Sequence, residues 1–99
     1  MHPAKVDPGA TRALTDLPNV GPACAKDLQR LGISTPADLR GRDAYQMYAQ
    51  LCADTGQRHD PCVIDVFLSI TRFMAGGPPQ PWWAFTAERK AALAATGQP

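Results

Sequence analysis

Three residues with metal-binding side chains lie near one another in the middle of the chain: Cys52, His59 and Cys62. Thiolate and imidazole are zinc ligands, and Cys24 is a candidate fourth ligand. The spacing lacks the Cys-x-x-Cys and His-x₃₋₅-His pairs of common zinc sites. Cysteine is also frequently a small buried apolar residue. We therefore expect no metal site, and we rank a Cys52–Cys62 redox pair below simple packing.

The acidic and nucleophilic residues do not form a recognisable catalytic set. A metal-dependent nuclease needs clustered carboxylates, and Asp54, Asp60 and Asp65 are close in sequence. Asp60, however, has the position of a helix cap before Pro61. Ser69 and His59 lack an identifiable third group to orient the base. We expect no catalytic residue, no cofactor and no small-molecule substrate.

Basic residues offer contacts for a polyanion. Lys26 and Arg30 are four positions apart, on the polar side of a predicted helix, and Arg40 and Arg42 bracket Gly41. A solvated helix face is the alternative interpretation of Lys26 and Arg30. The formal net charge is only +1. Since binding through counterion release requires a basic surplus, we expect any nucleic-acid binding to be weak, local or dependent on a partner.

The elements that position these residues are organised around a tight turn. Leu14 and Leu17 are spaced as on one face of a short helix, which Pro18 ends. Asn19 tolerates positive φ, and Gly21 permits close approach of the backbone to another surface. The sequence therefore predicts a short helix followed by a hairpin.

A second helix follows the hairpin. Pro22 suits its first position, where the missing N–H costs nothing, and Gly32 suits the position just after its end. One face of this helix is apolar and consists of Cys24, Ala25, Leu28 and Leu31.

The remaining helix signals predict one all-α domain of about five short helices. Thr35 and Asp38 form a capping-box pattern, Asp43 starts another helix, and the longest helix runs from Cys62 to about Ala75. Asp65, Ser69 and Arg72 share its narrow polar side. A final helix begins at a Thr86 cap.

Three segments are predicted. Residues 1–12 form a flexible arm, 13–75 the core domain, and 76–99 a Pro/Gly linker with a Trp82–Trp83 pair and the last helix. One tryptophan is expected to pack on the core. The start of the chain lacks a signal-peptide pattern, no run suits a membrane span, and three cysteines fit a reducing compartment. We expect a cytoplasmic protein without membrane contact.

The stretch from Leu14 to Leu28 resembles a helix-hairpin-helix motif. Seven positions match its pattern: Leu14, Leu17, Pro18, Val20, Gly21, Ala25 and Leu28. The departure is Asn19, where that family usually has glycine, and we expect the asparagine side chain to lie where a phosphate would approach.

This resemblance implies binding to nucleic-acid backbone without base readout. Main-chain N–H groups at the start of the second helix would contact a phosphate, helped by the helix dipole. The implied nucleic-acid-binding residues are Asn19, Val20, Gly21, Ala23, Cys24, Lys26 and Arg30. Some members of that family also hold a monovalent cation on hairpin carbonyls, which here would be those of Thr15, Leu17 and Val20.

From Leu14 to Lys90 the chain resembles a family of small bacterial proteins described as pathogenicity-locus or mitomycin-resistance-like. The matching features include Leu31-Gly-Ile33, Asp60-Pro-Cys62-Val63, Trp82-Trp83 and Arg89-Lys90. The resemblance implies an α-helical fold with a nucleic-acid role. We expect a non-catalytic protein that binds DNA backbone weakly and independently of sequence. The alternative is a protein-protein interaction adaptor that keeps the fold without binding nucleic acid.

Overall fold

The computed structural model describes residues 1–95, and within them the chain forms four α-helices, five short 3-10 turns and no strand. The helices are α1 (Pro22–Arg30), α2 (Ala44–Thr55), α3 (Cys62–Met74) and α4 (Thr86–Ala95). The 3-10 turns span Pro3–Lys5, Pro8–Ala10, Leu14–Asp16, Pro36–Leu39 and Trp82–Phe85. The predicted all-α class is confirmed. The first predicted helix, at Leu14, is only a 3-10 turn.

Helix α1 ends as its sequence predicts. Gly32 has φ of 80°, a conformation that glycine adopts at little cost. The N–H groups of Gly32 and Ile33 donate to the carbonyls of Gln29 and Leu28, both at 3.0 Å. Leu28 and Ile33 are fully buried against the core, so the chain reverses direction while it keeps its last helical carbonyls hydrogen-bonded.

Two acidic caps fix the next elements. The Asp38 carboxylate accepts the N–H groups of Ser34 and Thr35, both at 3.0 Å, with Pro36 in the first position of the turn. These hydrogen bonds lower the pKa of Asp38. Asp43 Oδ1 accepts two N–H groups from the first turn of α2, at 2.8 and 3.0 Å. The predicted helix starts are therefore confirmed.

Helix α3 is the centre of the molecule. It packs against α2, α4 and the 3-10 turns Pro36–Leu39 and Trp82–Phe85. Its predicted bounds are correct to within one residue. The buried hydrophobic core is contributed by most elements: Leu14, Leu17, Val20, Ala25, Leu28, Leu31, Ile33, Leu39, Ala44, Met47, Leu51, Ile64, Phe67, Leu68, Ile70, Phe73 and Phe85.

The polar side of α3 is covered along much of its length. Asp65 and Ser69 are buried, whereas Arg72 is exposed. Asp65 Oδ1 accepts from Arg89 Nε at 3.0 Å, so α4 is joined to α3 by an ion pair. Thr86 is the first residue of α4, and its hydroxyl donates to Asp65 Oδ2 at 2.8 Å. The prediction of Thr86 as a cap is therefore wrong, because its hydroxyl serves the buried carboxylate.

The two ends of the chain have local structure. Residues 1–12 contain two 3-10 turns, Val6 packs against the core, and Met1 contacts the hairpin. Trp82 is partly buried, and Trp83 is exposed. The part of the predicted C-terminal segment that falls on residues 96–99 lies outside the described residues. Among helices of residues 1–95, none combines the length and the hydrophobicity needed to span a membrane.

Candidate nucleic-acid interface

The hairpin is a 3-10 turn joined to α1 by a tight turn at Pro18 and Asn19. Leu14, Leu17, Pro18 and Val20 are buried, so the turn is anchored to the core through its apolar residues. The Asp16 carboxylate accepts the backbone N–H groups of residues 12 and 13, at 3.1 and 2.9 Å. These bonds stabilise the turn and lower the pKa of Asp16.

Asn19 has φ of 67°, as its position in the turn predicts. Its side chain, however, points into the molecule. Asn19 Nδ2 donates to Ser69 Oγ at 3.0 Å and to the carbonyl of Gln80 at 2.8 Å. The expectation that this side chain lies in the path of a phosphate is therefore wrong, because it bridges the hairpin to α3 and to the Gly/Pro segment before Trp82.

The backbone N–H of Asn19 is also occupied. It donates to the carbonyl of Met1 at 2.7 Å. Asn19 is therefore not among the free donors of the hairpin in this structure, which corrects its predicted role.

Two of the three carbonyls predicted to hold a cation do converge on a positive charge. The Met1 ammonium donates to the carbonyls of Leu17 and Val20, at 3.0 and 2.7 Å. Partial burial lowers the pKa of this ammonium, and the nearby Cys24 and Asp16 oppose the shift. Thr15 takes no part in this arrangement. The pair of carbonyls thus has the geometry to accept a cationic group.

The first turn of α1 presents unpaired donors. Within residues 1–95, the N–H groups of Gly21, Ala23 and Cys24 have no hydrogen-bond acceptor. The first turn carries no acidic residue that would offset the helix dipole. Gly21 is exposed, and a Cβ placed there meets no atom within 4 Å. The predicted donors other than Asn19 are therefore open to a ligand.

Lys26 and Arg30 lie on the exposed side of α1, whereas Ala25 and Leu28 are buried on the other side. Ala23, Lys26 and Arg30 are spaced three and four apart, so they share one helix face. The two predicted cations thus lie on one exposed face of α1, Lys26 about one turn and Arg30 about two turns beyond Ala23.

Cys24 contributes only its backbone to this surface. Its side chain is half-buried and packs against the core. Burial raises the pKa of the Cys24 thiol to about 11, with a further contribution from Asp27. The side chain therefore remains a neutral thiol at physiological pH.

Cys52, His59 and Cys62 are near one another but do not form a ligand set. The His59 N–H points at Cys52 Sγ at 3.5 Å, and His59 Nε2 lies 2.8 Å from Thr55 Oγ1. Cys62 Sγ faces Arg89. In the part of the chain that the structure describes, no group of three or more His, Cys, Asp or Glu residues could hold a metal ion.

Two of the three candidate carboxylates, Asp60 and Asp65, have structural partners. Asp60 Oδ1 accepts the N–H of Cys62, the first residue of α3, at 2.8 Å, although the residue in the cap position is Pro61 and not the predicted Asp60. Asp65 is paired with Arg89. Sequence reasoning placed Asp65 on a polar helix side and missed this pairing. The sequence does show an acidic residue inside the most apolar helix, α3, and a basic residue in the last helix, α4. The spacing of residues along the chain does not indicate that these two side chains meet.

A family model and a curated relative each match most of the chain. The family model described as "Pathogenicity locus" matches residues 8–91. A Streptomyces lavendulae protein named mitomycin resistance protein McrB is 44% identical over 84 residues, which cover 85% of this chain and 80% of the relative. No solved structure matches the chain significantly. With the family model covering nearly the whole described chain and a relative of this identity, the chain belongs to the pathogenicity-locus family.

Proposed function

We propose that this protein is a non-catalytic, sequence-independent binder of DNA backbone, and that the hairpin with the first turn of α1 is its phosphate site. The observation that carries the proposal is the set of three unpaired N–H groups at Gly21, Ala23 and Cys24. Donors at a helix N-terminus, aligned with the helix dipole, suit a phosphate and read no base.

The surroundings of these donors favour an anion. Gly21 leaves the backbone uncovered, and Lys26 and Arg30 add positive charge on the exposed face of the same helix. The stretch also keeps the turn chemistry of a helix-hairpin-helix motif, with a positive φ at Asn19 and Pro22 opening α1. The 3-10 turn at Leu14 stands where that motif has its first helix.

The expected affinity is modest. The chain carries a net charge of +1, and α1 supplies two cations, so few counterions are released on binding. The relative's name states resistance to mitomycin and gives no mechanism. The proposal therefore rests on the geometry of the hairpin.

An adaptor function is the second candidate. Trp83 is 62% exposed, next to the partly buried Trp82, with the two rings edge to face at 5.6 Å. An exposed tryptophan is a common anchor of protein interfaces. If the protein is an adaptor, we expect it to keep this fold and not to bind DNA even at low salt.

Substituting Gly21 by valine tests the phosphate site. Gly21 has φ of −102° and open space around its Cβ position, so valine fits the fold. The branched side chain would stand between the free N–H groups and a phosphate. We expect Gly21→Val to weaken binding to a labelled DNA duplex at least tenfold in a low-salt anisotropy titration, on the order of 1.4 kcal/mol.

Two further variants calibrate this result. Gly9→Val introduces the same side chain at an exposed glycine outside the hairpin and should bind as the wild type does. Lys26→Ala should cost about 1 kcal/mol and reduce the salt slope by about one unit. Circular dichroism must show equal helix content in all variants. Wild-type affinity in folded Gly21→Val would exclude the hairpin and favour the adaptor.

A further inference from the structure

A second basic surface lies away from the hairpin, around the C-terminal end of α3. A cavity of about 750 Å³ is lined by Arg12, Arg40 and the end of α3, and an adjoining cavity of about 460 Å³ is lined by Arg40, Arg42 and Arg72. Arg40 and Met74 border both cavities. We call this continuous depression the arginine groove. None of its lining residues belongs to α1.

The charged residues that line the groove are all basic. Four of the ten Lys and Arg residues of the chain line it, and no acidic residue does. Arg72 is paired with Glu88 at 2.5 Å, across an exposed contact. The side chains of Arg12, Arg40 and Arg42 make no hydrogen bond or ion pair with any described residue. The carboxylates of Asp16 and Asp38 nevertheless lie close enough to Arg12 and Arg42, respectively, to interact with them electrostatically. Four guanidinium groups thus line one depression of a nearly neutral protein, with acidic side chains beside Arg12, Arg42 and Arg72.

The helix end beneath the groove does not cancel this charge. Gly76 has φ of 106°, and its N–H donates to the Phe73 carbonyl at 3.0 Å. The N–H groups of Ala75 and Gly77 similarly satisfy the carbonyls of Thr71 and Arg72. The carbonyls that a helix C-terminus would turn toward an anion are therefore largely hydrogen-bonded.

The groove combines guanidinium groups with an apolar lining. Met74 is partly exposed, and Pro36, Pro78 and Pro79 also line the groove. Guanidinium groups bind phosphate oxygens in pairs, while apolar surface suits sugar and base faces. A single phosphate ion could contact the arginines at only one end of the groove. A nucleic-acid strand carries a phosphate at every nucleotide and could contact arginines along the whole groove.

We propose that the arginine groove binds a single strand of nucleic acid, with Arg40 at its centre. This site shares no residue with the hairpin and does not depend on the function proposed for it. An acidic peptide offers the charge but not the flat faces of bases, which can pack against Met74 and the prolines of the lining, so the lining favours nucleic acid.

The test uses the full chain and a fluorescent oligothymidine of about ten nucleotides, titrated at low salt. We expect Arg40→Gln to weaken binding about tenfold, because a charge-assisted contact is lost. Arg58→Gln is the matched control: Arg58 is exposed, lies outside the groove, and carries the same charge. It should bind the oligonucleotide within about twofold of the wild type.

The outcomes separate the two sites. Arg40→Gln with wild-type affinity for the oligonucleotide would overturn the groove as a strand site, whatever the duplex result. Equal affinity of the wild type for a polyglutamate of matched charge would overturn the choice of nucleic acid. Gly21→Val that loses duplex binding but keeps oligonucleotide binding would support two independent sites.

Discussion

At the scale of residues, Asn19 combines a left-handed backbone conformation with side-chain hydrogen bonds to Ser69 and Gln80. Glycine there would keep the turn and lose both bonds, each contributing about 1 kcal/mol or less to stability. Alanine would also lose them and would add the strain of an L-residue at positive φ, about 1 kcal/mol. We expect Asn19→Ala to be less stable than Asn19→Gly, and both less stable than the wild type.

Urea denaturation of the three proteins measures these differences. The comparison of glycine with alanine isolates the backbone contribution, since neither side chain can replace the amide. An alanine variant as stable as the wild type would show that the two side-chain bonds and the turn conformation contribute nothing.

The behaviour of Asn19 also shows where prediction from sequence stops. Its backbone conformation depends on neighbours along the chain, so the turn pattern predicts it. The side-chain partners are 50 and 61 residues away, and no local pattern specifies them. The Met1 ammonium donates hydrogen bonds to the carbonyls of Leu17 and Val20, and no local pattern specifies this contact either.

At the scale of elements, the buried pair of Asp65 and Arg89 joins α4 to α3. The Asp65 side chain is fully buried and that of Arg89 is 10% exposed. Removing one charge of such a pair leaves the other without a partner. We expect Asp65→Asn to lower the free energy of unfolding by about 3 kcal/mol.

Arg72→Gln provides the control at the other end of α3. Arg72 and Glu88 also link α3 to α4, but their side chains are 51% and 44% exposed. Solvent screens this pair, so its loss should cost less than about 1 kcal/mol. If Asp65→Asn and Arg72→Gln both unfold at the same denaturant concentration as the wild type, the buried ion pair does not stabilise the packing of α4 on α3.

Helix boundaries were more predictable than these tertiary links. The caps at Asp38 and Asp43 and the stop at Gly32 are local, and the structure confirms them. The helix expected at Leu14 forms only a single 3-10 turn, because Leu17 is already extended before Pro18.

At the scale of the whole molecule, the fold contains no disulfide bond among its described residues. Cys24, Cys52 and Cys62 are all free, and they are the three cysteines of the chain. We expect a reducing agent to leave the melting temperature unchanged and a denatured sample to titrate three thiols. In the native state near pH 8, Cys24 should be alkylated slowest, since burial raises its pKa to about 11.

Mass spectrometry after alkylation identifies the modified cysteine in each case. Burial and Asp27 both keep the Cys24 thiol protonated, so its alkylation rate should keep rising with pH until the pH reaches the raised pKa of about 11. Recovery of fewer than three thiols from the unfolded chain, or one equivalent of bound zinc, would contradict the assignment of the cysteines as packing residues.

The bond between Asn19 and Gln80 has an optical consequence. Trp82 and Trp83 follow Gln80 almost directly, and they are the only tryptophans in the sequence. A rearrangement of the hairpin that breaks this bond also frees the segment that leads into both indole rings. The intrinsic fluorescence of the unlabelled protein is therefore coupled to the state of the hairpin, although Asn19 and Gln80 are 61 residues apart in the sequence.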